Sequence, residues 1–405
     1  MTQPQSVAAP PVPRLLAPVA FGIFLLLGVL YPILGPALPR LSEKFGLQAS
    51  GVAWLLSGNS AGAFAGVVLA GLLPPRFTFE RRALLGIGLT LLACLGLAFA
   101  PDFPLALLAA VLVGLGFGIL DLTTNIWLAT RYGDKSAAAL NLLSTGFGIG
   151  AVAAPLAVGY AGGSFQWPLL ICAAFAALLL WPLLILQRQA GAVPVASTEP
   201  QEAPLAESID AAPPPGRSRL ILGVFVVLFM VYVAVESGVG SWEVTDLQGR
   251  LGLDTASATK IASLYWVMFT LGRLISAPLA LRLPPQQLIT GGLVLASLSL
   301  AAASLPAAAP VAYSLTGLFL APVFTTALVW LTRELPGRHA PTLVFAGSFL
   351  GPVLFAPLIG QANDLYGPIA TPISLLGIAL LDLAAVLCLI VLVRQRARAR
   401  LAHGL

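Results

Sequence analysis

The sequence is poor in charge. Only 9% of its 405 residues are charged and 58% are hydrophobic, whereas about a quarter of a typical soluble domain is charged. So few ionised groups could not coat a water-soluble body of this size. The apolar residues would instead fill about twelve membrane helices of roughly 20 residues each. We therefore expect an all-α integral membrane protein with twelve transmembrane helices.

Cysteine and histidine are also scarce. The three cysteines lie far apart inside apolar runs, without the spacing of a metal site or a disulfide framework, and both histidines fall outside such runs. The chain contains neither His-Glu-x-x-His nor Gly-x-Ser-x-Gly. A net charge of +5 is small for a nucleic-acid-binding protein. We expect no enzyme activity, no cofactor, no structural metal and no nucleic-acid partner.

Twelve uninterrupted apolar stretches predict the transmembrane spans. The first of them is too long, and has the wrong flanks, for a cleaved signal peptide. The stretches cover residues 15–39, 50–73, 83–100, 104–130, 136–161, 164–187, 219–242, 257–281, 286–305, 308–332, 340–362 and 367–393.

The placement of lysine and arginine predicts the orientation in the membrane. With the N-terminus inside, sixteen of the 21 basic residues fall on the inner side, four fall in outer loops, and Arg273 lies within a span. The inner residues are Arg14, Arg76, Arg81, Arg82, Arg131, Lys135, Arg188, Arg217, Arg219, Arg282, Arg333, Arg338, Arg394, Arg396, Arg398 and Arg400. We therefore predict a multi-pass protein of the cell (inner) membrane, embedded in the lipid bilayer with both termini cytoplasmic.

A single hydrophilic segment divides the chain. Residues 189–218 carry six prolines and four acidic residues with almost no large apolar side chain, so they cannot bury enough surface to fold alone. We predict an N-terminal six-helix bundle over residues 1–188, a flexible cytoplasmic linker over 189–218, and a C-terminal six-helix bundle with a basic cytoplasmic tail over 219–405.

The two halves of the sequence match each other at a nearly constant offset of about half the chain. Phe147, Ala154 and Pro155 recur 202 residues later as Phe349, Ala356 and Pro357, and Gly46, Gly66 and Arg76 recur 206 residues later as Gly252, Gly272 and Arg282. Two pseudo-symmetric six-helix bundles related by an axis along the membrane normal are the major facilitator fold, in which substrate binds near the midplane.

Four charged residues fall within the predicted spans, where each costs roughly 2.5–3.5 kcal/mol on insertion scales. Asp121 shares a helix face with Asn125 one turn later, and Gly114 and Gly118 continue that face. The repeat equivalent of Asp121 is Val323. An acid confined to one half is typical of a substrate or coupling site, with a structural hydrogen-bonded carboxyl as the alternative.

Glu236 lies midway along span seven, beside Gly238 and Gly240. Span one, the equivalent helix, contains several glycines and prolines around Tyr31. We therefore predict paired interruptions in these two helices, which indicate a transport site. A desolvated carboxyl there could take up a proton or bind a sodium ion.

The remaining intramembrane charges and aromatic residues have weaker functional interpretations. We predict that Arg273 is a structural or gating charge that pairs with a carboxylate or a helix C-terminus, and that Asp382 has a pairing or packing role. The rings of Tyr31 and Trp266 could stack on the apolar faces of a sugar, although packing is the usual role of such residues.

Several motifs resemble those of the fucose–proton symporters and the sodium-dependent glucose transporter group within the major facilitator superfamily. They are Gly-x-Gly-x-x-Asp-x-x-x-Asn at 116–125, Leu140-Asn141, Phe147-Gly-Ile-Gly-Ala151, Tyr232-Val-x-x-Glu236-x-x-x-Gly240-x-Trp242, and Ser263-x-Tyr-Trp266 with Gly272-Arg273. The resemblance implies cation coupling at Asp121 and Glu236, and substrate contact by Asn125, Asn141 and Trp266, to which we add Tyr31, Tyr232 and Trp242. The superfamily's loop motif is degraded: Gly71, Arg76, Arg81 and Arg82 remain, but Pro75 stands where an Asp is expected.

The sequence thus predicts a secondary active transporter that moves a sugar or similar small polar solute by symport with H⁺ or Na⁺, acting as a monomer. The coupling ion could bind at Asp121 or Glu236, with Arg76, Arg82 and Arg273 as gating or structural charges. Two alternatives remain open. One is a proton-driven exporter of amphipathic compounds, and the other is a membrane receptor or scaffold that transports nothing.

Overall fold

The computed structural model describes residues 15–74, 77–131, 136–191, 216–335 and 339–402. Within these ranges the chain is almost entirely helical and contains no strand. The helices are α1 (Leu16–Leu30), α2 (Leu34–Phe45), α3 (Ala49–Leu72), α4 (Phe79–Phe99), α5 (Phe103–Arg131), α6 (Ser136–Tyr160), α7 (Gln166–Gly191), α8 (Gly216–Leu251), α9 (Thr255–Ala280), α10 (Pro285–Ala303), α11 (Ala309–Glu334), α12 (His339–Ser348), α13 (Leu350–Tyr366) and α14 (Ala370–Ala402).

The twelve predicted spans are present. Eleven helical segments are long and apolar enough to cross a membrane, and the bent pair of α1 and α2 brings the number to twelve. We call α1–α7 the N-half and α8–α14 the C-half. The linker predicted over 189–218 is shortened at its ends by α7 and α8, and residues 192–215 lie outside the described part of the chain.

The predicted interruption of span one is confirmed. α1 ends at Leu30, α2 begins at Leu34, and the two helices meet at 46°. The break falls at Tyr31, where Pro32 cannot donate a main-chain hydrogen bond. The bend presents the Tyr31 ring toward the centre of the molecule, where it meets aromatic side chains of both halves.

The matching interruption of span seven was a wrong prediction. α8 is one continuous helix from Gly216 to Leu251. Its glycines instead allow close packing: a Cβ atom on Gly238 would lie 2.6 Å from the Leu375 side chain, and one on Gly240 would lie 2.8 Å from the Trp266 ring. The second interrupted span is the eleventh, in which Phe349 separates α12 from α13.

Glycine contacts within each half show the internal repeat in three dimensions. In the N-half, Cβ atoms on Gly114 and Gly66 would run into the main-chain oxygens of Asn59 and Leu115, which locks α3 against α5. In the C-half, Cβ atoms on the equivalent Gly317 and Gly272 would run into the main-chain oxygens of Tyr265 and Leu318, which locks α9 against α11. The two halves therefore use the same close helix pairing, as small residues allow in membranes.

We expect Gly114→Ala to destabilise the protein because its new methyl group would press on the main chain of α3. Overpacking of this kind costs about 1–3 kcal/mol, so the thermal unfolding midpoint of the detergent-purified protein should fall. Gly88→Ala in α4 is the matched control. A Cβ atom there meets nothing within 4 Å, and alanine is favoured over glycine in helices by up to about 1 kcal/mol. Equal midpoints for both variants would contradict the packing role.

Candidate functional site

A cavity lies between the two halves. It is lined from α2, α3 and α5 of the N-half and from α8 and α13 of the C-half, with Tyr31 and Phe349 at the two helix breaks. Its polar and aromatic lining residues are Tyr31, Asn59, Ser60, Phe117, Ser237, Ser241, Trp242 and Phe349. A mixture of hydroxyl, amide and ring surfaces suits a small solute that has both polar groups and an apolar face.

A cluster of aromatic rings joins the halves beside the cavity. The Tyr31 ring lies 5.7 Å from the Phe147 ring and 5.7 Å from the Trp266 ring, with an edge-on approach to Trp266. Phe117 bridges Tyr31 at 6.0 Å and Phe349 at 6.2 Å between ring centres. The repeat-related Phe147 and Phe349 therefore belong to the same cluster. Edge-to-face contacts of this kind stabilise the interface between the two halves.

Glu236 is buried in the middle of α8, with 7% of its surface exposed. The positive charge of Arg273 attracts it electrostatically, and the Arg273 guanidinium also sits 4.6 Å from the centre of the Phe269 ring. Arg273 therefore contributes positive charge near Glu236, but no direct ion pair joins these two described residues, and the predicted pairing of Arg273 with a carboxylate stays a prediction. A buried carboxylate balanced by a single cation is poised to change its protonation or bind another cation.

Asp121 lies one turn beyond the cavity-lining Phe117 and is half-buried. The amide nitrogen of Asn125 donates to its Oδ1 at 2.8 Å and to its main-chain oxygen at 3.0 Å. The predicted shared helix face is therefore confirmed, and the two side chains are hydrogen-bonded along it. Tyr31, at the break of the first span, lies within the electrostatic fields of Asp121, Glu236 and Arg273.

Three predicted substrate contacts occupy different positions around this centre. Trp242 lines the cavity, and its indole N–H has no hydrogen-bond partner among the described residues. Trp266 is 2% exposed and packs behind Tyr31. Tyr232 is fully buried within the C-half, where its hydroxyl donates to the main-chain oxygen of Leu320 at 3.2 Å. Trp242 is thus the member of this set that both lines the cavity and carries a buried indole N–H without a partner among the described residues.

The other predicted positions fall outside the cavity lining or outside the described part of the chain. Arg82 is buried and donates to the main-chain oxygen of Leu73 at 3.3 Å, which ties α4 to the end of α3. Asp382 is completely buried in α14, and neither carboxylate oxygen has a hydrogen-bond partner among the described residues. Of the two roles predicted for it, pairing or packing, these contacts show no pairing. Arg76 and the side chain of Asn141 lie outside the described residues.

The sequence interpretation missed two acids by ending span seven too early. α8 continues nine residues beyond the predicted end at 242, and Glu243 and Asp246 are completely buried within it. Asn59, which was not among the predicted site residues, also lines the cavity, and its Oδ1 has no hydrogen-bond partner among the described residues. Across the described ranges, no group of three or more His, Cys, Asp or Glu residues gathers as a metal site.

One end of the cavity is closed by contacts between the halves. The first main-chain N–H groups of α3, those of Ala49 and Ser50, donate to the Asp364 carboxylate of α13 at 2.8 and 3.0 Å. Further along the same helices, the Ser57 hydroxyl donates to the main-chain oxygen of Val353 at 2.9 Å. Between α9 and α6, the Ser263 hydroxyl donates to the main-chain oxygen of Val152 at 3.0 Å. We call these four hydrogen bonds the closed-end contacts.

Comparisons with known proteins agree with this architecture. The sequence profile of the Major Facilitator Superfamily matches residues 19–344. The chain is 24% identical over 384 residues to sodium-dependent glucose transporter 1A of Mus musculus, which covers 85% of this chain and 89% of that protein. It is also similar in structure to a D-xylose-proton symporter (TM-score 0.70, 16% identity, 90% of this chain and 96% of that chain). The crystal structure of the transporter FucP in the outward conformation gives a TM-score of 0.62 at 17% identity, covering 94% of this chain and 98% of that chain.

Proposed function

Because the chain belongs to the major facilitator superfamily, we propose that it is a cation-coupled transporter that moves a sugar or similar small polar solute by alternating access. The protein is a membrane transporter and not an enzyme. The observation that carries the proposal is the cavity between the halves, with its polar and aromatic lining. Glu236 directly precedes the lining residue Ser237, and Asp121 lies one turn beyond the lining residue Phe117.

The lining supports a sugar as the solute. Ser60, Ser237 and Ser241 supply hydroxyl groups, Asn59 supplies an amide, and Tyr31 and Trp242 supply ring faces. Sugar hydroxyls need hydrogen-bond partners once they leave water, and the C–H faces of sugar rings pack against aromatic rings. The relatives named as glucose and xylose transporters are in accord with this choice.

Coupling would arise because a buried negative charge opposes movement of the cavity across the membrane. An ionised Glu236 or Asp121 without a bound cation carries a desolvation cost. Binding of H⁺ or Na⁺ removes the net charge, and the loaded halves can then rock around the solute. The closed-end contacts support one end state of that motion. By the lysine and arginine distribution the closed end faces the exterior, so the cavity would be loaded from or emptied to the cytoplasm.

The decisive experiment is transport by the purified protein in liposomes. Uptake of radiolabelled glucose and xylose should be measured under an imposed pH gradient, under a sodium gradient, and under neither. Accumulation above the external concentration under one gradient supports the proposal and identifies the ion. Equal uptake under all three conditions would contradict cation coupling, and transport of lipophilic cations in preference to sugars would favour the exporter.

We expect Trp242→Phe to weaken solute binding without unfolding the protein. The substitution keeps a ring in the cavity but removes the buried indole N–H. A lost hydrogen bond of about 0.5–1.5 kcal/mol corresponds to an increase in Kd of about two- to twelvefold. Trp330→Phe is the matched control, because Trp330 also has a buried indole N–H but packs on Phe225 within the C-half. Equal Kd values for both variants in equilibrium sugar binding would count against Trp242 as a donor.

A further inference from the structure

The outer part of α8 carries a second pair of acids beyond the candidate coupling residue. Glu243 follows Glu236 by seven residues, which is two helical turns, so both lie on nearly the same face of α8. Asp246 lies one turn further on, and both Glu243 and Asp246 are completely buried. Their surroundings differ sharply, and the difference determines which of them can hold a negative charge.

Asp246 is fully provided with hydrogen-bond donors. Arg250 donates to both of its carboxylate oxygens, at 2.7 and 3.1 Å, and the Tyr313 hydroxyl donates to one of them at 3.0 Å. The same guanidinium is held by the main-chain oxygens of Ala303 and Ser304, each at 2.7 Å. A bidentate arginine pair with a further hydroxyl donor is the environment of an ionised carboxylate.

Glu243 has none of this support. Neither of its carboxylate oxygens has a hydrogen-bond partner among the described residues, and its strongest electrostatic neighbour is the negative Asp246. Burial of an ionised carboxylate without hydrogen-bond donors, beside a second negative charge, has a large unfavourable desolvation free energy that nothing offsets. The neutral acid, with a proton on one oxygen, is the form of Glu243 that this site accommodates.

Tyr265 connects this acid with the centre of the molecule. Its hydroxyl donates to the main-chain oxygen of Glu236 at 3.0 Å, and the ring lies within the fields of both Glu236 and Glu243. Glu243 also acts electrostatically on Tyr313 of α11. The helices packed on α8 carry further ionisable groups, which include Arg40, Glu43 and Lys44 of α2, Lys260 and Arg273 of α9, Arg333 and Glu334 of α11, Asp364 of α13, and Asp382, Arg394, Arg396 and Arg398 of α14. Asp246 is the charge that acts on Glu243.

We propose that Glu243 is a second proton-binding site in the C-half, distinct from the acids assigned to ion coupling. The carboxylate takes up one proton from water and becomes a neutral acid in the closed arrangement. It returns that proton to water, leaving the carboxylate, when the surrounding helices open.

Infrared spectroscopy of the purified full-length protein tests this directly, because a protonated carboxyl has its own C=O stretching band. We expect the wild-type protein at neutral pH to show a carboxylic-acid band that is lost in Glu243→Gln and that decreases as the pH is raised. Glu43→Gln is the matched control, since Glu43 is exposed and ion-paired with Arg40 at 2.8 Å. That variant should keep the band. Asp382→Asn identifies the separate contribution of the other buried acid without hydrogen-bond partners.

Two results would overturn the proposal. A band unchanged by Glu243→Gln would show that Glu243 is ionised. A Glu243 band that stays constant over the whole pH range in which the protein remains folded would show a static acid that never exchanges its proton. If Glu243→Gln does not fold, the same loss is sought in Glu243→Met, and failure of both neutral variants to fold would also contradict a neutral residue at this site. The spectra need no solute, so their result is separate from the outcome of the transport assay.

Discussion

Replacing Glu236 with glutamine is expected to abolish accumulation of solute against its gradient while leaving exchange of solute intact. Glutamine imitates the neutral, cation-loaded form, so the halves can still rock with solute bound, but no cation is needed for the step. A gradient of one pH unit corresponds to 1.36 kcal/mol and could concentrate the solute about tenfold with one proton per solute. In the variant, the ratio of internal to external solute should fall to about one.

The measurement is uptake into liposomes under the coupling gradient, paired with counterflow of solute in the absence of any gradient. Glu43→Gln is the control, because it removes an exposed acid of α2 that is paired with Arg40. Asp121→Asn tested in the same way separates the two candidate acids. Full accumulation by both Glu236→Gln and Asp121→Asn would refute coupling at these residues.

Asp364→Asn is expected to open the closed end of the cavity. The variant replaces a charge-assisted acceptor that holds the first two N–H groups of α3 from across the interface between the halves. Asparagine keeps one acceptor oxygen but replaces the other by an amide nitrogen, and a hydrogen bond to a charged group contributes about 1.5–3 kcal/mol. A change of one to two kcal/mol alters a two-state population roughly 5- to 30-fold. The distance distribution between spin labels at Gln48 and Tyr366, two exposed positions at this end, should shift toward longer distances.

Asp102→Asn is a closely matched control for this experiment. Asp102 accepts a hydrogen bond from the main-chain N–H of Leu105 at 3.0 Å, and so caps α5 within the N-half rather than across the interface. Asparagine caps a helix about as well as aspartate, so this variant should change neither the thermal stability nor the label distances appreciably. The labels require Cys388→Ser, since Cys388 is an exposed free thiol. If both aspartate variants leave the distances as in the parent protein, Asp364 does not hold the closed end.

Much of the architecture follows from the apolar runs and the local breaks in the sequence. Uninterrupted apolar stretches of about twenty residues are a strong signal because main-chain groups in lipid must bond within their own helix. The bend at Tyr31 was predictable because Pro32 has no main-chain N–H to donate within the helix. The structure adds that Gly35 permits close approach to Ser241 of α8. The Asp121–Asn125 pair followed from one-turn spacing alone.

What the sequence could not show was decided by contacts between distant segments. The end of α8 contains Glu243, Asp246 and Arg250, which hydropathy assigns to an external loop. Tertiary partners such as Tyr313 keep that segment helical and buried. Likewise, Gly238 in the sequence suggests an interruption of the helix, whereas in the structure it makes room for the Leu375 side chain. Asn59 looks like any polar residue between helices, and only the shape of the cavity distinguishes it.

The closed-end contacts have an evolutionary consequence. In each of them one partner is a main-chain group, namely the N–H groups of Ala49 and Ser50 and the oxygens of Val353 and Val152. Every amino acid has the same main-chain oxygen, so residues 152 and 353 can change identity without loss of the closed-end contacts. Homologues that have diverged to 24% identity could therefore conserve this closure while sharing few of its side chains. Conservation scores would therefore underestimate the importance of the closed-end contacts. In deep mutational scanning, transport activity should tolerate substitutions at Val152 and Val353 but be sensitive to substitutions at Asp364.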